Sequence, residues 1–149
     1  MEVLPCFLPE NAPAPAGDSP HDRPYFLFAG RLERLKGLDD VVPVFENYEA
    51  SDLLVAGEGE YAAALKHLAR NTSRVRFLGR VDPETLRRYY RHAVAAIVPS
   101  VCYETFAMVV VEAFREGTPV IARRLGPMPE IVQQAQAGDM RWTPKTRQL

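Results

Sequence analysis

Cysteine is scarce in this chain, and its two copies, Cys6 and Cys102, stand far apart with no C-x-x-C spacing. That pattern argues against a disulfide framework and against a structural zinc site, and it fits a reducing, cytoplasmic setting. Histidine is equally thin: His21, His67 and His92 have no second ligand at metal spacing and read as surface or satisfied side chains. There is no excess of charge of one sign, since Lys+Arg 18 against Asp+Glu 19 leaves a formal charge of -1. A basic surface that would grip a nucleic-acid backbone is therefore not expected. The longest apolar runs, such as Ala93 to Val98 and Phe106 to Val111, fall far short of the roughly 20 residues that cross a bilayer. No G-x-x-x-x-G-K-[ST] phosphate loop is present. Asn71-Thr72-Ser73 is formally a glycosylation sequon, but no apolar signal-peptide core follows Met1, so it reads as a polar turn.

Proline, in contrast, is abundant and unevenly placed. Six of the 13 prolines (Pro5, Pro9, Pro13, Pro15, Pro20 and Pro24) fall before Tyr25, interleaved with Ala, Gly, Asp and Ser. Residues 1–24 therefore read as an extended interdomain linker. With 149 residues in all, the remainder is the size of one domain, placed at 25–139, with 140–149 an incomplete C-terminal element.

Within 25–139, short apolar runs alternate with stretches of helical spacing. Strands are expected at Tyr25 to Phe28, Leu53 to Ala56, Val75 to Leu78, Ala95 to Val98 and Pro119 to Ala122. Leu38, Val41, Val42 and Phe45 recur at helical spacing, predicting a helix bent at Pro43. Tyr61, Leu65 and Leu68 mark a second helix. Asp82 as N-cap with Pro83 behind it opens a third, with Leu86, Tyr89 and Tyr90 on its buried face. Thr105 to Glu116, closed by Gly117, and Pro129 to Gln136 complete the set. Uniformly apolar strands are buried on both faces, so the alternation predicts a doubly wound, Rossmann-like α/β domain of five or six parallel strands with helices on both sides. Such sheets bind ligands at the carboxyl ends of their strands, which directs attention to the loops from Gly30, Gly57, Gly79, Ser100 and Ala122.

The first of these loops places Arg31, Arg34 and Lys36 between Gly30 and Gly37, a combination of close backbone approach and positive charge suited to phosphate. The second, Gly57-Glu58-Gly59-Glu60-Tyr61-Ala62, formally matches the dinucleotide fingerprint G-x-G-x-x-G/A. Its position in the second βα unit, and the charges of Glu58 and Glu60, speak against a pyrophosphate there. It nevertheless supplies an alternative reading, an NAD- or FAD-binding oxidoreductase module. The fourth loop leads through Glu104 into the helix that carries Glu112. An E-x7-E spacing carries no weight alone, because Glu2 and Glu10 repeat it in the linker. Placement gives it meaning: eight helical residues span about 12 Å, roughly a diphosphate plus a sugar. Glu112 also sits in an otherwise apolar helix, where a carboxylate must meet a hydroxyl or a cation.

These loops, in this order, resemble the nucleotide-sugar-binding half of the GT-B retaining glycosyltransferases of family 4, the glycosyl transferases group 1 domain. The matching residues are Phe28-Ala29-Gly30-Arg31-Leu32 with Lys36-Gly37, Leu54-Val55-Ala56-Gly57-Glu58-Gly59, Val75 to Val81, Val98-Pro99-Ser100, Glu104-Thr105-Phe106 with Glu112-Ala113, and Gly117 to Ala122 followed by Pro129-Glu130. The resemblance implies transfer of a sugar from a nucleoside diphosphate to an acceptor hydroxyl, with no metal or other cofactor. It implies that Arg31 and Lys36 hold the donor diphosphate, that the backbone at Gly30 lies beside it, and that the backbone of Gly79, Arg80 and Val81 faces the base. Glu104 would contact the transferred sugar, Glu112 the ribose hydroxyls, and the main-chain amides of Phe106, Ala107 and Met108 the sugar and phosphate, with Thr105 also among the donor-binding candidates. By this resemblance Glu104, Arg31 and Lys36 are the catalytic candidates. Ala107 stands where the family usually has glycine. The resemblance further implies a partner acceptor-binding domain on the amino-terminal side that this chain lacks, an acceptor of unspecified kind, and room for peripheral membrane association of the full-length protein. A non-catalytic, glycosyltransferase-like interaction domain is the remaining alternative.

Overall fold

The computed structural model describes residues 16–102 and 108–124. Five strands, β1 (Tyr25–Ala29), β2 (Asp52–Ala56), β3 (Val75–Gly79), β4 (Ala95–Val98) and β5 (Val120–Ala122), form one sheet in the order β3-β2-β1-β4-β5. Every pairing is parallel: Tyr25 to Ala29 run beside Asp52 to Ala56 without a slip, and Val98 meets Ala122 at the far side. The helices are α1 (Ala62–Leu68), α2 (Pro83–His92) and α3 (Met108–Arg115). This is the Rossmann-like α/β architecture that the apolar strands predict.

Strand residues alternate between two cores. Tyr25, Leu27, Ala29, Leu54, Ala56, Ala96 and Val98 pack with Tyr90 of α2 and with Val110 and Ala113 of α3. Phe28, Leu53, Val55, Ile97 and Val75 face the opposite way, toward Leu38, Val42, Phe45 and Leu65. Burial on both faces explains why the strands read as continuous apolar runs.

One expected element is not a helix. The stretch from Leu38 to Phe45 folds as short 3-10 turns, Leu38–Asp40 and Val42–Glu46, preceded by Arg34–Lys36. Gly37, in the left-handed conformation at φ 76°, separates the first two turns, and Pro43 supplies no N–H for an α-helical bond. Leu38, Val42 and Phe45 are buried all the same, so the apolar spacing is honoured by tighter turns.

The cap at Asp82 forms as read from the sequence: its Oδ1 accepts from the Thr85 amide at 3.0 Å. The end of α3 is a Schellman motif, with Thr118 N donating to Ala113 O at 2.9 Å and Gly117 N to Phe114 O at 3.0 Å. Asn71 to Ser73 form a turn, in which Thr72 Oγ1 accepts from the Arg74 amide at 3.1 Å. The expected helix Pro129 to Gln136, the start of the helix at Thr105, and the element 140–149 lie outside the described residues. Among the described residues, no helix is long and apolar enough to cross a membrane.

The described part of the segment before Tyr25 is packed on the domain. Arg88 donates to Asp18 O at 3.1 Å, and His92 Nε2 lies 3.2 Å from Gly17 O. At the amino end of β2, the buried Asp52 carboxylate receives His21 at 2.8 Å, Arg23 at 3.2 Å and Arg74 at 3.4 Å. Burial pushes the Asp52 carboxyl up, but His21 and Arg23 outweigh it and hold it below the ordinary carboxylate range. His21 is thus a satisfied histidine.

Candidate functional site

Strand order fixes where a ligand can enter. The connection from β1 runs toward β2 and that from β4 toward β5, so the carboxyl ends of β1 and β4 flank the point where the winding reverses. The loop carrying Arg31 and Lys36 leaves β1, and the loop leading to Glu104 leaves β4.

The two loops lie against each other. A Cβ on Gly37 would stand 2.1 Å from Pro99 O, and the Val101 amide donates to Leu35 O at 2.9 Å. Beneath them, Arg123 from the end of β5 donates through Nε to Pro99 O at 3.1 Å and pairs with Asp40. The β1 loop is also locked to the β2 loop, by Gly30 N to Ala56 O at 3.0 Å and Leu32 N to Glu58 O at 2.9 Å.

That second contact decides the meaning of the Gly57-Glu58-Gly59 motif. A Cβ on Gly57 would stand 1.8 Å from Gly30 O, and one on Gly59 would stand 2.3 Å from Leu32 O. Both glycines are required because the backbone of the first loop already fills the space beside them. Close packing of the two loops thus accounts for both glycines without a dinucleotide, although Gly57 also lines the cleft that opens beside it.

A cleft of about 390 Å³ opens on the face of the sheet that carries α2 and α3. Gly30, Arg31, Arg80 and Val81 line it, together with Glu58 and Leu86. The structure therefore gathers four of the candidates from two separate loops into one cavity. Gly79, which precedes the lining residue Arg80, is in the left-handed conformation, φ 68°, with open space where a Cβ would be. Lys36 is half-buried in the first 3-10 turn and is not among the cleft's lining residues. Met108 opens α3. Glu104, Thr105, Phe106 and Ala107 lie outside the described residues.

Arg31 is largely exposed, its side chain 81% accessible, and its Nε sits 3.0 Å from Glu33 Oε1. A surface pair of this kind contributes little, so exchanging Glu33 for a phosphate costs little.

Glu112 sits half-buried in α3, and its Oε2 accepts a hydrogen bond from the Tyr90 hydroxyl at 3.1 Å. Tyr90 is 1% exposed, and burial followed by the neighbouring Glu112 charge pushes its phenol far above the usual tyrosine range. The hydroxyl therefore stays protonated and donates. Sequence reasoning assigned Tyr90 to packing alone. The signal was present: a tyrosine on a buried face and a carboxylate on an apolar helix each need a polar partner. Cys102 is a half-buried free thiol.

Comparison with known proteins adds the following. The family model described as "Glycosyl transferases group 1" matches residues 14–140. An uncharacterized glycosyltransferase of Methanocaldococcus jannaschii is 34% identical over 119 residues, covering 75% of this chain and 30% of that protein. Sucrose-phosphate synthase from Thermosynechococcus elongatus superposes with a TM-score of 0.63 at 33% identity, covering 72% of this chain and 29% of its own. The structure of Anabaena HepE in complex with UDP and glucose shares the fold, with a TM-score of 0.65 at 21% identity over 73% of this chain and 32% of that one. The chain thus spans about a third or less of the length of these proteins.

Proposed function

From the premise that the chain belongs to the glycosyl transferases group 1 family, we propose that it forms the donor-binding lobe of a retaining glycosyltransferase using a nucleoside-diphosphate sugar. The observation that carries this reading is the cleft at the carboxyl ends of β1 and β3, where Gly30, Arg31, Arg80 and Val81 converge on the face that also bears Glu112. The fold shared with a protein solved with UDP and glucose supports the same ligand class.

In this reading the backbone at Gly79, Arg80 and Val81 faces the base, and Glu112 accepts from the ribose hydroxyls. Arg31 and Lys36 neutralise the diphosphate, whose charge grows as the sugar departs, so fixed cations stabilise the transition state more than the ground state. Glu104 contacts the sugar, and the amides from Thr105 through Phe106 and Ala107 to Met108 close around sugar and phosphate. The transfer proposed needs no resident metal, takes place in the cytoplasm, and requires an acceptor-binding domain on the amino-terminal side, through which the full-length protein could meet a membrane-borne acceptor.

Calorimetric titration with UDP, GDP, ADP and NAD tests the proposal. One diphosphate nucleotide is expected to bind, NAD is not, and Glu112→Ala is expected to weaken the hit at least tenfold, as for loss of hydrogen bonds to a charged acceptor. Arg31→Ala and Lys36→Ala should weaken the diphosphate more than the matching nucleoside. Wild-type affinity in Glu112→Ala would reject the ribose assignment, and equal losses for diphosphate and nucleoside would reject the phosphate role of the cations.

A further inference from the structure

We propose that Tyr90 is a positioning residue, whose hydroxyl sets the Glu112 carboxylate to receive the ribose diol of the donor nucleotide. This rests on the ribose reading of Glu112 given above and extends it to a residue that touches no ligand.

The phenol is mounted on a fixed frame. Tyr90 lies in the last turn of α2 and is buried among β1, β4 and α3 residues. The Tyr25 hydroxyl donates to Tyr89 O at 2.7 Å, holding this end of α2 to β1. Thr118, the residue that completes the cap of α3, donates through Oγ1 to Tyr90 O. Arg87 of α2 pairs with Glu116, the residue just past the end of α3. The backbone of Tyr90 is therefore tied to β1 and to the end of α3, and its ring points as a rigid arm at Glu112, 3.1 Å from hydroxyl to Oε2.

A glutamate side chain has three rotatable bonds, and ordering them on binding would weaken affinity. The Tyr90 bond orders them beforehand. It occupies one lone pair of Oε2 and leaves the other acceptor sites of the carboxylate, which has no donor of its own. A vicinal diol presents two donors to such a group. The outcome is a preference for ribonucleotides over their 2′-deoxy counterparts that depends on both Glu112 and Tyr90.

The test measures affinities for UDP, GDP and ADP, each beside its 2′-deoxy form, for the wild-type chain, Tyr90→Phe, Tyr90→Met and Glu112→Gln, with circular dichroism to confirm folding. For the nucleotide that binds, wild type is expected to favour the ribo form by about tenfold. Both Tyr90 variants are expected to shrink that ratio below about threefold while deoxy affinity stays within about twofold of wild type. Glu112→Gln, whose amide keeps only one acceptor oxygen, is expected to shrink the ratio as well. Equal weakening of ribo and deoxy forms in the Tyr90 variants, or a full wild-type ratio in them, overturns the positioning role. A full ratio retained in Glu112→Gln, or no ratio in wild type, overturns the ribose reading instead.

Discussion

Gly57 follows the last residue of β2 and Gly79 ends β3, and different physics requires each. Gly57 has φ 144° and no room, since a Cβ would overlap Gly30 O. Gly79 has φ 68° and open space. Gly57→Ala therefore combines an unfavourable backbone with a backbone–backbone clash and is expected to cost roughly 3 kcal/mol or more. Gly79→Ala carries only the left-handed penalty, about 1–2 kcal/mol. Urea unfolding at constant m-value measures both, and equal costs would refute the distinction. Local sequence makes the two glycines look alike, and the first even spells a dinucleotide motif, because what fills the space beside Gly57 is a loop some 27 residues upstream. Gly30, Arg31, Arg80 and Val81, which line the cleft, were legible as loop residues because they follow apolar strands. The role of Tyr90 was not, because a contact between α2 and α3 has no local signature.

Elements were legible where burial and capping act locally. The strands follow from apolar runs, and α2 from Asp82 and Pro83, whose cap bond is present. The stretch after Gly37 was misjudged because apolar spacing at three and four residues suits both an α-helix and consecutive 3-10 turns. Gly37 and Pro43 decided between them. The Asp82 cap has a pH signature. Hydrogen bonds from Thr85 hold the Asp82 carboxyl below its ordinary range. A depressed folded pKa means that the stabilisation is complete above the unfolded value of about 3.9 and fades as pH falls through the folded one. Asp82→Ala is expected to lower Tm at pH 7, with the gap to wild type narrowing as pH falls below about 3.9. A gap that stays constant as pH falls below that value would show that the side chain acts by something other than its charge.

At the scale of the molecule, the parallel sheet puts a buried charge cluster and the cleft at opposite ends of its strands. The cleft opens at the carboxyl ends, beside Ala29 and Ala56, while Asp52 gathers His21, Arg23 and Arg74 at the amino end of β2. Four residue steps along β2 separate Asp52 from Ala56, about 13 Å. Asp52, 2% exposed in its side chain, anchors the segment before β1 to the sheet, so its loss leaves two arginines facing a buried site without their anion. Asp52→Asn is expected to cost about 2–3 kcal/mol at pH 7 in urea unfolding, less than full removal of a buried partner because the amide keeps one acceptor. Because the Asp52 pKa is lowered in the folded chain, this difference should be complete above about pH 4 and vanish as the carboxylate of wild type is protonated below it. Nucleotide affinity of the folded fraction should be unchanged, since sites this far apart with no shared partners are close to additive. A Kd that shifts in step with stability would mean that the amino-end cluster and the cleft belong to one coupled network, and that the packed segment ahead of β1 sets the shape of the cleft as well as the stability of the fold.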